Sequence, residues 1–314
     1  MKNTGKKLSI GGQAVIEGVM MKSENYLAIS ARREDGTIAS KLEKLKKKSR
    51  FWKLPFMRGI ANLIEIFVIG MKALIWSGNE AAKESEKDAK VSKNEFSSME
   101  IFLLIFFSFG FALVFFVALP YAATHFLGII EETKPILFNL VDGLIKIIIF
   151  FVYLISISYL KDIRRVFQYH GAEHMAVHCY ESGLALNVKN VKKFQTMHPR
   201  CGTAFLLIVL IVSILIFALI PSILMQIFPG FINLNFFARK SILFSLRILF
   251  IPVVASVSYE LLKLSAKYEK NILSKMLVFP GMIFQLITTK KPDNSQIEVA
   301  IYSLNQVLNK EGKN

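Results

Sequence analysis

The chain has 314 residues, 53% of them hydrophobic, and a formal net charge of +16. With a mean hydropathy of +0.45 it is more apolar than soluble globular domains are, so the composition excludes an ordinary soluble protein. The excess of Lys and Arg predicts anionic lipid headgroups as partners, and we expect no nucleic-acid partner.

Residues 1–54 have the pattern of short strands. Residues 26–32 and 37–42 alternate between apolar and polar side chains, and Asp35-Gly36 stands between them. An Asp-Gly pair between two alternating runs is typical of a β-hairpin. The sequence therefore predicts a small β-rich cap at the N-terminus.

Residues 55–77 predict a helix that begins at Pro55, because proline suits a first helical position. A fifth span here would place the 13 Lys and Arg residues of segment 1–54 outside the cell. We therefore expect this helix to lie in the membrane interface or to be re-entrant. Residues 78–98 follow as a polar linker.

Four longer segments are apolar and almost free of charge. Each exceeds the roughly 20 residues that a helix needs to cross the hydrocarbon core, and runs of this length cross as helices. They predict two transmembrane hairpins with a polar loop between them. The apolar segments are residues 101–127, 136–160, 203–228 and 241–264; the hairpins are residues 99–160 and 203–264, and the loop is 161–202.

The last part, 265–314, is predicted to contain an interfacial segment and a C-terminal amphipathic helix. Residues 271–289 are apolar and are interrupted by Pro280-Gly281. Ser295 and Glu298 then have the spacing of a capping box. Apolar residues at helical spacing follow, and we expect this stripe to pack on the N-terminal strands. The stripe consists of Ile297, Ala300, Ile301, Leu304, Val307 and Leu308.

The distribution of Lys and Arg predicts the topology. Residues 1–99, 161–200 and 263–314 contain 19, 7 and 8 of them, whereas the connections 128–135 and 229–240 contain 1 and 2. Since positive residues stay on the cytoplasmic side, both termini are expected in the cytoplasm. The predicted fold is an α-helical polytopic protein of the cell (inner) membrane, with four transmembrane helices, a small cytoplasmic β-rich N-terminal cap and interfacial amphipathic helices.

Four of the five histidines and both cysteines lie in the polar loop between the hairpins. His170, Glu173 and His174 form the pattern H-x-x-E-H, in which two histidines four apart share one helix face and the glutamate is a general base. His198 and Cys201 add a second pair, and two short ligand pairs separated by a linker are typical of zinc sites. We therefore predict a zinc-type ion bound by His170, His174, His198 and Cys201, with Glu173 as the catalytic residue.

The ligand set has alternatives. His178 continues the same helix face, but about 12 Å separates it from His170 along the axis, so both are not expected on one ion. Two histidines and one cysteine would leave a position open for water, whereas His198 as a fourth ligand would close the site. Glu181 is a further oxygen donor within reach of this helix.

Charged residues inside the predicted spans are a second group of candidates. Asp142 and Lys146 are four apart in the second span, and Arg247 lies at similar depth in the fourth. Charges in the membrane are costly and usually paired. We predict an ion pair of Asp142 with Lys146 or Arg247, as a structural cluster or as part of a polar pathway.

The chain resembles the YqhQ-like family of bacterial membrane proteins over nearly its whole length. The motif GGQAVIEGVMM covers residues 11–21. The resemblance implies metal dependence without supplying a substrate. It leaves His178 and Cys179 outside the motifs, and it adds Glu17, in an otherwise apolar strand, as a possible site residue. The other matching motifs lie at residues 169–174, 198–202, 258–263 and 288–300.

Three functional hypotheses follow. The first is a zinc-dependent hydrolase that acts at the cytoplasmic surface on a lipid-linked or peptide substrate, with Glu173 as the base. The second is a non-catalytic membrane scaffold in which a metal ion clamps the loop. The third is a small-solute transporter that uses the charges inside the spans. An open coordination position facing Glu173 would separate the first hypothesis from the second.

Overall fold

The computed structural model describes residues 8–47, 49–83, 98–131, 133–199, 201–268 and 271–312. Most of the predicted linker over residues 78–98 therefore lies outside the described residues. The chain divides into two compact units. Unit 1 contains residues 1–89, 157–207 and 259–314, and unit 2 contains residues 90–156 and 208–258.

Unit 1 contains a four-stranded antiparallel sheet in which the strands pair in chain order. In the turn between the last two strands, Asp35 Oδ1 accepts a hydrogen bond from Thr37 N at 2.8 Å, and Gly36 has a φ of 82°. The predicted hairpin and the β-rich N-terminal segment are confirmed. The strands are β1 (Gly11–Val15), β2 (Gly18–Lys22), β3 (Tyr26–Arg32) and β4 (Ile38–Lys44).

The remaining described residues are mostly helical. A π-helical turn, Val114–Ala118, joins α2 to α3. α9 continues through Pro280, so the predicted interruption there is wrong; loss of one backbone hydrogen bond at a proline does not end this helix. The helices are α1 (Met57–Ala81), α2 (Ser98–Leu113), α3 (Leu119–Phe126), α4 (Pro135–Ile157), α5 (Lys161–Ser182), α6 (Val188–Val191), α7 (Gly202–Ile227), α8 (Phe236–Lys267), α9 (Ile272–Thr288) and α10 (Asn294–Lys310).

Helices cover both faces of the sheet. Val19 and Met21 pack with the buried residues of α5 and α10, whereas Met20, between them, packs with Ala73 of α1. This alternation follows from the two-residue period of a strand. The apolar stripe of α10 is buried in the first of these clusters, as the sequence predicts. The centre of unit 1 is therefore a sheet between two helical layers.

The capping box of α10 differs from the predicted one. Asp293 Oδ1 accepts from Gln296 N at 2.9 Å, and Gln296 Oε1 accepts from Asp293 N at 2.9 Å. The prediction that Ser295 and Glu298 form this motif is wrong. A carboxylate at the N-cap also interacts favourably with the positive end of the helix dipole, which favours the earlier start.

Two ion pairs attach α1 to the sheet and to the turn after β3. Lys22 Nζ lies 2.6 Å from Glu65 Oε1, and Arg33 Nη2 lies 2.6 Å from Glu80 Oε2. Between these ion pairs Ala73 is buried against the sheet. The helix ends at Ala81, beyond the predicted end at residue 77.

Five helices are long and apolar enough to cross a membrane, so the predicted count of four is not confirmed. The additional candidate is α1, which the sequence analysis assigned to the interface or to a re-entrant position. The length and composition of these helices are those of a multi-pass membrane protein. The candidate spans are Met57–Ala81, Phe106–Phe126, Pro135–Ile157, Phe205–Ile227 and Phe236–Ser265.

Charged side chains inside unit 2 have polar partners. Lys146 Nζ lies 2.5 Å from Asp142 Oδ2. Arg247 Nη2 donates to Asn139 Oδ1 at 2.8 Å, which joins α8 to α4 three residues before Asp142. Partners of this kind offset part of the cost of removing charges from water.

Leu304→Ala should destabilise unit 1. Leu304 is fully buried in the cluster between α5, α10 and the sheet, and the resulting cavity should cost about 2–5 kcal/mol. Thermal unfolding of the full-length protein in detergent would measure this loss. Tyr302→Ala, at a side chain 40% exposed on the same helix, is the control and should change stability by only about 0.5 kcal/mol. Equal losses for the two variants would contradict the packing of α10.

Candidate metal centre

The centre is built on α5, a polar helix whose residues from Tyr169 to Val177 are all buried. β1 and α10 pack against it, and Lys290 N donates to Phe167 O at 2.8 Å, so the segment after α9 also lies along it. Gly171 permits this approach, because a methyl group there would collide with the carbonyl oxygen of Lys290. A polar helix in such a position needs partners for each of its polar side chains.

His170 and His174 lie one helical turn apart, with ring centroids separated by 4.4 Å. Nδ1 of His170 is 2.9 Å from Thr288 O, and Nδ1 of His174 is 2.5 Å from Thr196 O. Because a carbonyl only accepts, both Nδ1 atoms carry the proton and both Nε2 atoms present a lone pair. Burial lowers the pKa of both rings, which keeps them in the neutral form that binds metal ions.

Cys201 completes a group of three donor atoms. Its Sγ lies 3.3 Å from His170 Nε2, and the donor atoms of His170, His174 and Cys201 are all within 4.8 Å of one another. Within the described ranges, His174 Nε2 is buried and has no hydrogen-bond partner. Imidazole nitrogen and cysteine sulfur are the ligands that zinc prefers. The residues therefore fit a zinc ion, and His174 Nε2 is a donor atom that forms no hydrogen bond within the described residues.

Glu173 lies between this group and β1. Its carboxyl group accepts a hydrogen bond from Gly12 N–H, and burial raises its pKa to about 8. Its Oε2 is 3.5 Å from His174 Nε2. A methyl group at Gly12 would lie 2.6 Å from Glu173 Cγ. The N-terminal motif thus reaches the centre through Gly12, which the sequence analysis did not assign to the site.

His178, Glu181 and His198 form a second group, whose donor atoms are also within 4.8 Å of one another. His198 Nε2 lies 3.3 Å from Glu181 Oε2, and the ring centroids of His178 and His198 are 4.3 Å apart. The four predicted ligands are therefore divided: three lie in the first group, and His198 lies in the second. The structure also places His178, which the family motifs leave out, beside His198.

Gln285 of α9 fixes the loop that carries His198. Its Oε1 accepts from His198 N at 2.8 Å, and its Nε2 donates to His198 O at 3.0 Å. The side chain is fully buried. Gln285 is not among the site residues predicted from the sequence. The sequence signal that could have found it is a single amide side chain in an otherwise apolar helix. A buried Gln needs hydrogen-bond partners, so such a residue indicates a specific polar contact.

Glu17 belongs to neither group. It lies in the turn between β1 and β2, with a φ of 49°, and not in a strand as the sequence analysis expected. Its carboxylate forms an ion pair with Arg165 and accepts a hydrogen bond from Tyr169 Oη at 3.3 Å. Since Arg165 and Tyr169 lie on α5 within five residues before His170, Glu17 positions this helix against the sheet.

The chain is similar to proteins of one bacterial family. Residues 54–310 match the family described as Protein of unknown function (DUF1385), a range that includes both donor groups. The chain is 34% identical over 318 residues to the uncharacterized protein YqhQ of Bacillus subtilis (strain 168), with 96% of this chain and 92% of that protein covered. No solved structure matches. These similarities confirm the family that the sequence motifs indicated.

Gly12→Ala should disturb the centre, whereas Gly11→Ala should not. A methyl group at position 12 would meet Glu173 and, at 2.8 Å, the carbonyl oxygen of Met20, whereas nothing lies within 4 Å of one at position 11. We expect Gly12→Ala to lose about 1–3 kcal/mol of stability by overpacking and Gly11→Ala to change it by only about 0.5 kcal/mol. Thermal unfolding measures both. Equal stability of the two variants would refute the close approach of β1 to Glu173.

Proposed function

The chain belongs to the DUF1385 family, and we propose that it is a multi-pass protein of the cell (inner) membrane with a zinc-type metal centre that faces the cytoplasm. In this proposal the centre is hydrolytic and acts on a lipid-linked or peptide substrate. The observation that carries it is the convergence of His170, His174 and Cys201, whose donor atoms all lie within 4.8 Å of one another.

The hydrogen bonds of the two rings support metal binding. Metal-binding histidines usually donate their other ring N–H to a carbonyl or carboxylate, which fixes the tautomer and orients the ring. His170 and His174 do so through Thr288 and Thr196. A histidine buried for packing alone would be expected to form hydrogen bonds at both nitrogens, yet in the described part of the chain His174 Nε2 forms no hydrogen bond.

The residues around the first group suit hydrolysis. Zinc held by His170, His174 and Cys201 would supply Lewis acidity, which polarises a carbonyl or phosphoryl oxygen. Glu173 would serve as the acid–base group through Oε2, which is 3.5 Å from His174 Nε2. The hydrogen bond from Gly12 N–H holds the carboxyl group in place. With His198 in the other group, three protein ligands remain, as in catalytic zinc sites.

A structural clamp is the second candidate, and the burial of the donors favours it. His170, His174 and Cys201 are only 8%, 2% and 7% exposed. An ion in this position would tie α5 to the loop before α7 without any need for substrate access. Glu173 distinguishes the two roles, because a clamp does not require an acid–base group.

We further propose that α1 lies in the interface and that the other four candidate helices cross the membrane, with both termini in the cytoplasm. The Lys and Arg distribution supports this topology. The ion pair of Glu65 with Lys22 of the sheet supports it as well, since Glu65 lies well inside α1 and a crossing helix would bring its charge into the hydrocarbon core. Exposed apolar residues of α1, such as Phe67 and Ile75, suit an interfacial helix.

Anionic lipid headgroups are the proposed partners of the segment before α1. Phe51, Trp52 and Leu54 are exposed, and residues 41–53 contain seven Lys or Arg residues. Aromatic rings beside basic side chains suit the headgroup region of an anionic bilayer. A protein bound in this way would meet lipid-linked substrates at the same surface.

His174→Ala should release the metal ion, whereas Glu173→Gln should retain it. The first change removes a ligand atom, and the second keeps the size of the side chain and removes only its acid–base function. The measurement is the zinc content per chain of the purified full-length protein. His125→Ala is the control, because His125 lies outside the histidine-rich loop, and it should retain the ion.

The same variants separate the hydrolase from the clamp in cells. The variants are expressed in a strain whose own copy is deleted. If the protein is a hydrolase, Glu173→Gln should bind zinc but fail to complement the deletion. If the ion is a structural clamp, Glu173→Gln should complement the deletion and His174→Ala should not. Wild-type protein that binds no zinc would contradict both candidates.

Cysteine labelling of intact cells tests the topology. A membrane-impermeant maleimide should label Asn233→Cys but neither Thr37→Cys nor Ser92→Cys, because only the first residue is placed outside. The wild-type chain, whose two cysteines are buried, gives the background. Labelling of Thr37→Cys without labelling of Ser92→Cys would show that α1 crosses the membrane.

A further inference from the structure

We propose that His178, Glu181 and His198 bind a second divalent cation beside the first group, so that the loop holds a two-metal centre. The two-metal role rests on the proposed function of the first group, whereas cation binding by the second group does not. The three donor atoms of the second group lie within 4.8 Å of one another, as those of the first group do.

The second group is held in place by its surroundings. His178 Nε2 is 2.9 Å from Met197 O, and its ring stacks on Phe194 with an interplanar angle of 6°. Gln285 holds the backbone of His198 through two hydrogen bonds of 2.8 and 3.0 Å. Glu181 is on α5, three residues after His178, so both share one helix face. The donors are therefore oriented before any cation binds.

Glu181 Oε2 and His198 Nε2 are 3.3 Å apart, and the carbonyl of Met197 accepts a hydrogen bond from His178 Nε2, so His178 offers Nδ1 as its ligand atom. The rings of His178 and His198 are 4.3 Å apart and tilted by 48°. Two imidazole rings and one carboxylate gathered this closely form a donor set that suits a divalent cation, because such a cation binds rings through the nitrogen lone pair.

The donor chemistry differs between the two groups. Two imidazoles and one carboxylate form a ligand set that catalytic zinc sites use, and that also suits manganese or iron(II). The second group contains no sulfur, in contrast to the first. It is also less buried, since the Glu181 side chain is 23% exposed and His178 is partly exposed. The second cation is therefore the one that a substrate would reach.

The two groups are close enough to act on one substrate. His174 and His198, one from each group, have ring centroids 5.7 Å apart. Two-metal hydrolases hold their ions about 3.5–4 Å apart, so that both contact the reacting group. Phosphate esters and peptides are both substrates of such centres, which agrees with the lipid-linked and peptide classes proposed above.

Cobalt(II) titration of the full-length protein in detergent tests the second site. Equilibrium dialysis should give two Co²⁺ per chain for the wild type. The thiolate-to-cobalt absorption should report the first group alone, because only that group contains Cys201. His178→Ala should retain this absorption and weaken the binding of the other ion by at least about tenfold. His170→Ala should lose the absorption and keep the second ion.

Glu181→Gln is the second variant, because it preserves side-chain size at a partly exposed position. Thermal unfolding verifies that each variant is folded. His125→Ala should bind two Co²⁺. Wild-type binding of one ion with the thiolate absorption, or of two ions that neither His178→Ala nor Glu181→Gln reduces, overturns the second site and leaves the first. If the wild type binds one ion without the thiolate absorption and His178→Ala loses that ion, the second site is supported and the first is overturned. No bound Co²⁺ overturns both.

Discussion

The enclosure of α5 is the constraint on which the rest of unit 1 depends. His170, Glu173 and His174 are 8%, 5% and 2% exposed, and burial of such groups without partners costs at least about 2 kcal/mol each. The chain offsets this cost by bringing the carbonyl groups of Thr288 and Thr196 to the two rings and the N–H of β1 to the carboxyl group. The contacts that fix the helix also fix which ring nitrogens can bind a cation.

This constraint explains why motifs far apart in the sequence belong to one site. The N-terminal strand supplies a glycine that lets the backbone reach Glu173, and the end of α9 supplies Gln285 and the carbonyl of Thr288. Glu17 belongs to neither donor group, but its bonds to Arg165 and Tyr169 fix the position of the first half of α5. The strands and the C-terminal helices therefore form a scaffold around one polar helix.

Much of the fold can be predicted from local pattern, because periodicity and turn residues determine local structure. The Asp-Gly hairpin and the stripe of α10 are examples. The position of α1 is harder to predict from sequence. Its apolar composition satisfies the criteria for a membrane span, whereas its ion pairs with Lys22 and Arg33 depend on a sheet more than 30 residues away in the chain. The H-x-x-E-H spacing predicts that His170 and His174 lie together, because both are on one helix. It does not predict which donor group His198 joins, because that depends on how the loop before α7 packs against α5.

Helix geometry explains why the donors form two groups and not one. The rings at positions 170, 174 and 178 follow one face of α5 over about 12 Å, which is too long for a single ion. The loop runs antiparallel to this row, so that Cys201 lies 3.3 Å from His170 and the ring of His198 lies 4.3 Å from that of His178. Each end of the row therefore receives one donor from the loop. The H-x-x-C spacing, which indicates one ligand pair in the sequence, is divided between two groups in the fold.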